Sequence, residues 1–359
     1  MLQGYGMEMR NGSGMPHMEL DDRLRSVLCA IVESYIDTVE PVGSRTLSRT
    51  LELELSPATI RNVMADLTEQ GFLIQPHTSA GRIPTNQAYR YYVDTCLEAL
   101  PPPEEVKRVI ERSLGERGCG LDSLLSATSK LLAGLTRFTG IVSSPRISQT
   151  RLRVIEFLKI NDNQIYVVLI TQSNMMHQKI IETSDNLSQA FLDSVCEFLN
   201  EQFASSSLED VRHRVLEQLA AEQDTYEHNL GQAVRLSRKA FDLADERALY
   251  VDGQSFLVRE FDNLEKIRVL LEALEEKFGL IDMLDATLTE KGTVSVSIGV
   301  ETSGLALEDC SIVTASYQME DRALGAIGVI GPNRMNYLRV LPIIEYTAQT
   351  LSEAISAQH

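Results

Sequence analysis

Ser56-Pro-Ala-Thr-Ile-Arg-Asn62 is the stretch that decides the fold of the N-terminal part of this chain. A serine at the N-cap accepts a hydrogen bond from a free helix N–H, and proline suits the first helical position, where no N–H partner is needed. The apolar residues that follow recur at helical spacing: Ile60, Val63, Met64 and Leu67. The sequence therefore predicts a capped amphipathic helix that ends at Gly71.

The opposite face of this helix has a composition that suits the major groove of DNA. It carries Ala58, Arg61, Asn62 and Ala65, flanked by Thr59. Small alanines allow close approach, while Arg and Asn pair bidentately with guanine and adenine edges. Asp66 and Glu69 lie further along, so we expect only the N-terminal half of the helix to enter the groove, as in helix-turn-helix proteins.

Two shorter patterns precede this helix. An apolar stripe predicts a first helix that Pro41 ends, with Leu24, Leu28, Ile31, Tyr35 and Val39 on one face. Ser44 is the expected N-cap of a second helix through Arg49, in which Leu47 and Leu51 face inward. Together the three helices predict a helix-turn-helix unit.

The residues after Gly71 distinguish a winged helix from a plain three-helix bundle. Phe72-Leu-Ile74 is a short strand, Gln75-Pro-His-Thr-Ser-Ala-Gly81 is a turn, and Arg82-Ile83 begins the return strand. Thr85 then caps a helix. Hydroxylated residues followed by Arg82 suit phosphate contact. The predicted DNA-binding residues are Ser44, Arg45, Ser56, Ala58, Thr59, Arg61, Asn62, His77, Thr78, Ser79 and Arg82.

The distribution of charge bears on how such a unit would bind DNA. The chain of 359 residues carries a formal charge of −18, which argues against nucleic-acid binding if it is spread evenly. Residues 43–90 nevertheless hold five arginines against four acids, and residues 71–93 hold no acid. One such segment with a charge of +1 would bind a duplex weakly, because phosphate neutralisation supplies most non-specific affinity. If the chain binds DNA, it should therefore need two copies.

The rest of the chain predicts an α+β organisation. Residues 1–18 form an extension, expected to be disordered, and residues 19–98 the winged helix. Pro101-Pro-Pro103 ends the winged-helix region, because three prolines cannot continue a helix, and a helical connector is expected over 99–135. Strand patterns within 136–206 and 286–359 predict one α+β domain, interrupted by a helical insertion over 207–285.

Several function classes are disfavoured. The odd number of cysteines, without a paired CxxC, supports neither a disulfide framework nor a zinc site, and we expect Cys29 and Cys96 to be buried thiols. The chain lacks nucleophile-elbow, phosphate-loop and metal-spaced motifs, so we expect no enzyme and no cofactor. No apolar run has membrane-spanning length and no signal peptide is evident, which predicts a cytoplasmic location without a membrane partner. A purely structural helix-turn-helix in an enzyme or protein-binding module remains an alternative.

By these motifs the chain resembles the heat-inducible transcription repressor HrcA family. The resemblance rests on several short motifs. They are Pro41-Val-Gly-Ser44, the stretches 56–62 and 75–82, Pro84-Thr85, Tyr89-Arg90 and Tyr92-Val-Asp94. Gly328-Val-Ile-Gly-Pro-Asn-Arg-Met335, followed by Tyr337, is similar to the family's closing signature. The departures are the N-terminal extension and Pro57, where a second serine is expected.

The resemblance implies a winged helix, a GAF-like domain and a helical insertion that dimerises. It further implies repression of chaperone operons of the groE and dnaK type through an inverted repeat called CIRCE. A GroEL-type chaperonin would keep the repressor competent.

Two questions stay open from sequence. An apolar stripe in the insertion suits a dimer interface, or else packs against the helix with Tyr226, Leu230, Val234 and Phe241; its residues are Leu257, Phe261, Leu264, Ile267, Leu271, Leu274 and Phe278. Because GAF-like folds often hold ligands, a small-molecule-responsive repressor is the second reading. Gly331-Pro-Asn333 would then present N–H groups to an anion, whereas the structural reading makes Asn333 a helix N-cap.

Overall fold

The protein has an α+β fold of helices and antiparallel sheets. The computed structural model describes residues 20–50, 55–78, 80–97, 100–115, 120–145, 151–172, 176–183, 186–203, 206–207, 210–211, 214, 236–237, 239–240, 248–261, 263–275, 277–286, 294–299, 308–319 and 322–357. These residues form two compact units. The first takes those within 20–115, 126–142 and 250–353, and the second those within 120–125, 143–249 and 354–357.

The first unit begins with the N-terminal segment, residues 20–97, whose elements follow the predicted order. They are α1 (Asp22–Thr38), α2 (Ser44–Thr50), α3 (Pro57–Glu69), β1 (Leu73–Ile74), β2 (Ile83–Pro84) and α4 (Asn86–Thr95). The Asp21 carboxylate caps α1 by accepting from the Leu24 N–H at 2.7 Å, and the Thr85 hydroxyl caps α4. Strands β1 and β2 pair antiparallel, with Leu73 opposite Pro84. Side chains from all four helices and both strands are buried.

A backbone contact fastens the hairpin to the turn between α1 and α2. The N–H groups of Val42 and Arg82 donate to each other's carbonyl oxygens at 2.9 Å. A Cβ on Gly81 would lie 2.5 Å from the Val42 carbonyl oxygen, so only glycine fits there. This contact gives a physical reason for two of the sequence motifs, the one that begins at Pro41 and the one that ends at Arg82.

The rest of the first unit is built around a five-stranded sheet. Its elements, some of which extend beyond the unit's limits, are α5 (Glu104–Leu114), α6 (Leu121–Thr136), β3 (Thr139–Ser143), β7 (Leu249–Asp252), α8 (Gln254–Glu260), α9 (Leu264–Glu275), α10 (Lys277–Ala286), β8 (Val294–Ile298), β9 (Cys310–Met319), β10 (Arg322–Pro332) and α11 (Tyr337–Ser356). The strand order is β7-β3-β10-β9-β8. Residues Cys310 to Tyr317 of β9 are buried on both faces, as expected of a central strand covered by helices.

The second unit contains a three-stranded antiparallel sheet with one helix on it. Strands β4 (Leu152–Asn161), β5 (Gln164–Thr171) and β6 (Met176–Glu182) are neighbours in that order, and α7 (Gln189–Phe203) covers one face. The Asn200 Oδ1 accepts a hydrogen bond from the Ile155 N–H at 2.8 Å, and its Nδ2 donates to the Ile155 carbonyl at 3.0 Å. The other face, which we call the open face, carries exposed apolar side chains such as Ile160 and Ile180.

The structure divides the chain differently from the sequence prediction. We expected the strands within 136–206 and 286–359 to form one domain. Instead β3 joins the C-terminal strands, β4–β6 form a separate sheet, and β7 falls in the block that we predicted as helical. Strand pairing is non-local, so periodicity along the chain identifies a strand without identifying its partners.

The predicted dimer stripe is also placed differently. The stripe is divided among three separate helices, α8, α9 and α10. These helices belong to the first unit, where α8 and α10 pack on β10. Leu257, Ile267 and Leu274 are buried and Leu271 is half-buried within this unit. Phe261 is half-buried too, and the side chains of Leu264 and Phe278 lie outside the described part of the structure. The described members of the stripe are therefore largely covered already. Tyr226, Leu230, Val234 and Phe241 lie outside the described residues.

Candidate nucleic-acid interface

Helix α3 begins as predicted. The Ser56 hydroxyl accepts a hydrogen bond from the Thr59 N–H at 3.1 Å, and Pro57 occupies the first turn. The Ser56 and Thr59 hydroxyl oxygens also lie 2.9 Å apart, within hydrogen-bond distance. The helix ends at Glu69, and Gly71 adopts a φ of +82°, which favours glycine. The Ile60 N–H donates to the Ser56 carbonyl at 3.0 Å, so the regular helical bonding starts at Ser56.

The two faces of α3 differ as the sequence indicated. Its buried residues are Ile60, Val63, Met64 and Leu67. Ala58, Arg61, Asn62 and Ala65 are exposed, whereas Thr59 is half-buried. Two side chains with bidentate hydrogen-bonding groups therefore stand beside two small residues on one open surface. Asp66 and Glu69 are exposed further along, so the acidic end of the helix follows the polar N-terminal half.

The predicted residues of α2 lie at its beginning. Ser44 is the first residue of the helix and is half-buried, and Arg45 is exposed. The Leu47 N–H donates to the Gly43 carbonyl at 3.0 Å, so the helical bonding starts one residue before Ser44. Leu47 is buried as expected, while Leu51 lies outside the described residues. Helices α2 and α3 pack on each other, as consecutive helices of a helix-turn-helix do.

One side-chain amide organises the hairpin loop, residues 75–82. The Gln75 Nε2 group donates to the Thr78 and Ala80 carbonyl oxygens at 3.0 and 3.1 Å. His77 and Thr78 are exposed at the tip. Ser79 lies outside the described residues. The loop therefore presents polar side chains on a backbone that Gln75 and the Val42–Arg82 contact hold in place.

Arg82 has a structural contact that the sequence did not indicate. Its Nε donates to the Thr68 hydroxyl at 3.1 Å, and that hydroxyl donates to the Met64 carbonyl at 2.6 Å. Arg82 is half-buried. The Arg82 guanidinium therefore lies against the last turns of α3. A guanidinium is planar, and its two terminal nitrogens suit bidentate hydrogen bonding to a phosphate.

Arg90, which we counted in the basic segment, has another role. It forms a bidentate ion pair with Asp94, with N–O distances of 3.1 and 2.7 Å, and donates to the Val296 carbonyl at 2.6 Å. Arg90 therefore ties α4 to β8 within the first unit. The spacing of four residues between Arg90 and Asp94 was the available signal for this pair.

Asn86 is a second contact residue that the sequence reading missed. Its Oδ1 accepts from the Asn333 Nδ2 at 2.8 Å, and Asn333 Nδ2 also donates to the Glu308 carbonyl at 3.0 Å. A Cβ on Gly299, which has a φ of +58°, would clash with the Asn86 side chain. The beginning of α4 is thus hydrogen-bonded to loops of the five-stranded sheet.

The turn at Asn333 corrects both readings of that motif. The Asn333 N–H donates to the Asp309 carbonyl at 3.1 Å, so this group is not offered to an anion. Nor does Asn333 cap a helix, because α11 begins at Tyr337 and Asn336 Oδ1 accepts from the Arg339 N–H. The Asn333 side chain serves the contact with Asn86 instead.

Two further observations concern metals and membranes. Within the part of the chain that the structure describes, no three His, Cys, Asp or Glu side chains converge as metal ligands would. In the same described ranges, no helix combines the length and apolarity required to cross a bilayer.

Comparison with known proteins places the chain among bacterial regulators. A family model described as the HrcA protein C terminal domain matches residues 122–341. The heat-inducible transcription repressor HrcA of Geobacter sulfurreducens is 38% identical over 342 residues, which cover 95% of this chain and 99% of the relative. The protein of the same name from Xanthomonas campestris pv. campestris is 38% identical over 338 residues, covering 94% and 96%.

One solved structure shares the fold. It is a hypothetical protein whose crystal structure was determined at 2.2 Å resolution. It aligns with 95% of this chain and 100% of its own at a TM-score of 0.59 and 24% identity.

Proposed function

This chain belongs to the HrcA family of heat-inducible transcription repressors, and from that premise we propose how it recognises DNA. The N-terminal segment is a winged helix that reads a CIRCE-type inverted repeat upstream of groE- and dnaK-type chaperone operons. The five-stranded sheet and its helices form the GAF-like part. Its relatives are named as transcription repressors rather than enzymes, and we place its action in the cytoplasm, on DNA.

The observation that carries this proposal is the exposed face of α3. Arg61 and Asn62 stand beside two alanines at the capped end of the helix, a combination that suits direct readout of base edges. Arg45 on α2 and the residues of the hairpin loop are exposed around it and suit phosphate contacts, which position a protein without reading sequence.

We infer a homodimer from the low positive charge of this surface. Once Arg90 is assigned to its contact with Asp94, the basic residues available to one N-terminal segment are few. A single copy would therefore bind weakly, whereas joining two copies makes the second contact intramolecular and raises avidity by about 10²–10⁴-fold. A two-fold dimer also matches an inverted repeat.

We propose the open face of the β4–β6 sheet as the dimer surface, in place of the stripe on α8–α10. Side chains alternate between faces along a strand, so those not covered by α7 share this face. Four of them are largely exposed: Leu158 at 47%, Ile160 at 51%, Met176 at 62% and Ile180 at 53%. Soluble monomers rarely expose an apolar patch of this kind.

The composition of this face favours a second copy of the chain as its occupant. Tyr166 lies opposite both Leu158 and Ile180, and Ile170 lies opposite Met176, so the apolar residues are contiguous. Two acidic residues lie on that face, Glu156 within the patch and Glu182 at its edge. A chain with a charge of −18 repels its own copies except through a patch poor in charge, and this face provides one.

Footprinting tests the proposed function. We expect the purified chain to protect both halves of an inverted repeat in the promoters of its own chaperone operons, and to leave a half-site duplex largely unprotected. Protection of unrelated promoters to the same extent would contradict specific repression.

We further propose a GroEL-type chaperonin as the partner that maintains the active repressor. This proposal rests on the family resemblance, which implies it. Active chaperonin, added to the same footprinting reaction, should increase the protected fraction. No gain over an equal concentration of an inert protein would count against this partner and would leave the operator assignment standing.

Arg82 provides a test of phosphate contact by the hairpin loop. We expect Arg82→Ala to weaken binding to all duplexes and to lower the slope of log K against log salt by about one unit, because one phosphate contact is lost. Thr68→Val is the matched control, since it removes the hydroxyl that aligns Arg82 and keeps the charge. An unchanged slope in Arg82→Ala would place this side chain away from the DNA.

A further inference from the structure

The two cysteines that we expected to be separate buried thiols lie together. Cys29 of α1 and Cys96, directly after α4, have Cα atoms 6.3 Å apart and are joined as a disulfide. That Cα separation is within the range of about 4.4–6.8 Å that disulfides adopt. The two cysteines therefore meet where α1 and α4 pack on each other.

The surroundings of the pair are ordered but accessible. The Cys96 N–H donates to the Tyr92 carbonyl at 2.9 Å, and the Arg25 guanidinium donates to the Thr95 carbonyl at 2.9 Å. These bonds hold the end of α4 against α1 by contacts that do not involve sulfur. Both cysteines are half-buried, so a small thiol or disulfide reagent can reach them.

The other described cysteines are poorer participants in thiol exchange. Burial raises the pKa of the Cys196 thiol to about 11 and that of Cys310 to about 12. Because the thiolate is the reactive form, these two thiols exchange slowly near neutral pH. Cys119 lies outside the described residues.

We propose that Cys29 and Cys96 form a reversible oxidation site that tunes the thermal stability of the N-terminal segment. The oxidant is a low-molecular-weight disulfide such as glutathione disulfide. A disulfide in a protein that acts on DNA in a reducing compartment is more often a redox-sensing bond than a structural one. The consequence for repression rests on the proposed function, whereas the chemistry and the stability change do not.

The exchange balances in two steps. One cysteine thiolate attacks the glutathione disulfide, forming a mixed disulfide and releasing one glutathione thiolate. The second cysteine thiolate then attacks the protein sulfur of that mixed disulfide and releases the second glutathione. The two cysteines lose two electrons and two protons, and glutathione disulfide becomes two glutathione molecules.

The sequence separation explains why the bond affects stability. The two cysteines are 67 residues apart, and the loop between them contains α2, α3 and the hairpin. Closing a loop of this length restricts the unfolded chain more than the folded one. We therefore expect oxidation to raise the temperature at which this segment opens by about 10 °C or more. Oxidised repressor would then hold its operator at temperatures that release the reduced form.

The test uses the full-length chain, treated with glutathione disulfide or with dithiothreitol. Free thiols are counted, non-reducing peptide mapping locates the bond, and hydrogen exchange over residues 20–97 is followed against temperature. On oxidation, we expect the number of free thiols to fall from five to three. Peptide mapping should find Cys29 linked to Cys96, and exchange protection should shift to higher temperature as stated. Cys29→Ser and Cys96→Ser should abolish the shift, and the control Cys196→Ser should keep it.

Three results would overturn the proposal: persistent mixed disulfides at either cysteine, a cross-link between chains, or equal exchange protection in both redox states. Operator binding across the same temperatures is measured in parallel. If the shift in protection occurs but neither form binds the operator, the proposed function fails and the oxidation site stands. If both forms bind and lose the operator at one temperature, the link between oxidation and repression is overturned.

Discussion

Ile180→Glu is expected to convert the dimer to a monomer and to lower affinity for the full inverted repeat by at least about 100-fold. Ile180 is 53% exposed on the open face of the β4–β6 sheet, so the substitution costs little in the isolated chain. In a dimer, the carboxylate would be buried against apolar side chains without a partner, which is strongly unfavourable. Sedimentation velocity and titration of the operator measure the two effects.

Ser194→Glu is the matched control for this prediction. It adds the same side chain to the same unit, at an exposed position on α7, on the other side of the sheet. We expect Ser194→Glu to remain dimeric with unchanged operator affinity. A dimeric Ile180→Glu variant would remove the open face from consideration as the interface.

Asn62→Ala should cost about 1–3 kcal/mol of operator binding, a loss of about 5- to 150-fold, and little on random DNA. The reason is geometric, since an exposed amide on the N-terminal half of α3 pairs bidentately with adenine. The Asn62 side chain is exposed, so folding should be unaffected. Competition titrations with the operator and a scrambled duplex of equal length measure the ratio directly.

Glu69→Gln is the control on the same helix. This exposed acid lies at the end of α3, away from the expected groove contacts. Neutralising it should strengthen binding to both duplexes slightly and leave their ratio unchanged. If Asn62→Ala weakened both duplexes equally while the chain stayed folded, base readout by Asn62 would be ruled out.

Local signals explain the success of prediction in the N-terminal segment. The Ser56 cap, the apolar stripe of α3 and the β1–β2 hairpin all depend on residues within a few positions of one another. Cap preference, periodicity and turn chemistry act over that range, so these elements could be predicted from sequence. The exposure of Arg61 and Asn62 follows from the same periodicity.

Contacts between distant residues could not be predicted in this way. Asn86 bonds Asn333, Arg90 bonds the Val296 carbonyl, and Cys29 meets Cys96, across separations from tens to hundreds of residues. The periodicity of the sequence around one member of such a pair gives no information about which distant residue is the other member. Arg90 was therefore counted only as one of the basic residues of the segment 43–90.

By itself, the sequence determined the family, the α+β class and the exposed polar face of α3, because caps, periodicity and contiguous motifs are local properties. Only the tertiary structure decided which strands share a sheet, so β3 and β7 joined the C-terminal strands and β4–β6 stood apart. It also decided that the stripe on α8–α10 is largely covered and that the open sheet face is not. The physical reason is that an apolar residue is buried by whichever surface the folded chain brings to it, and that partner lies far away in sequence.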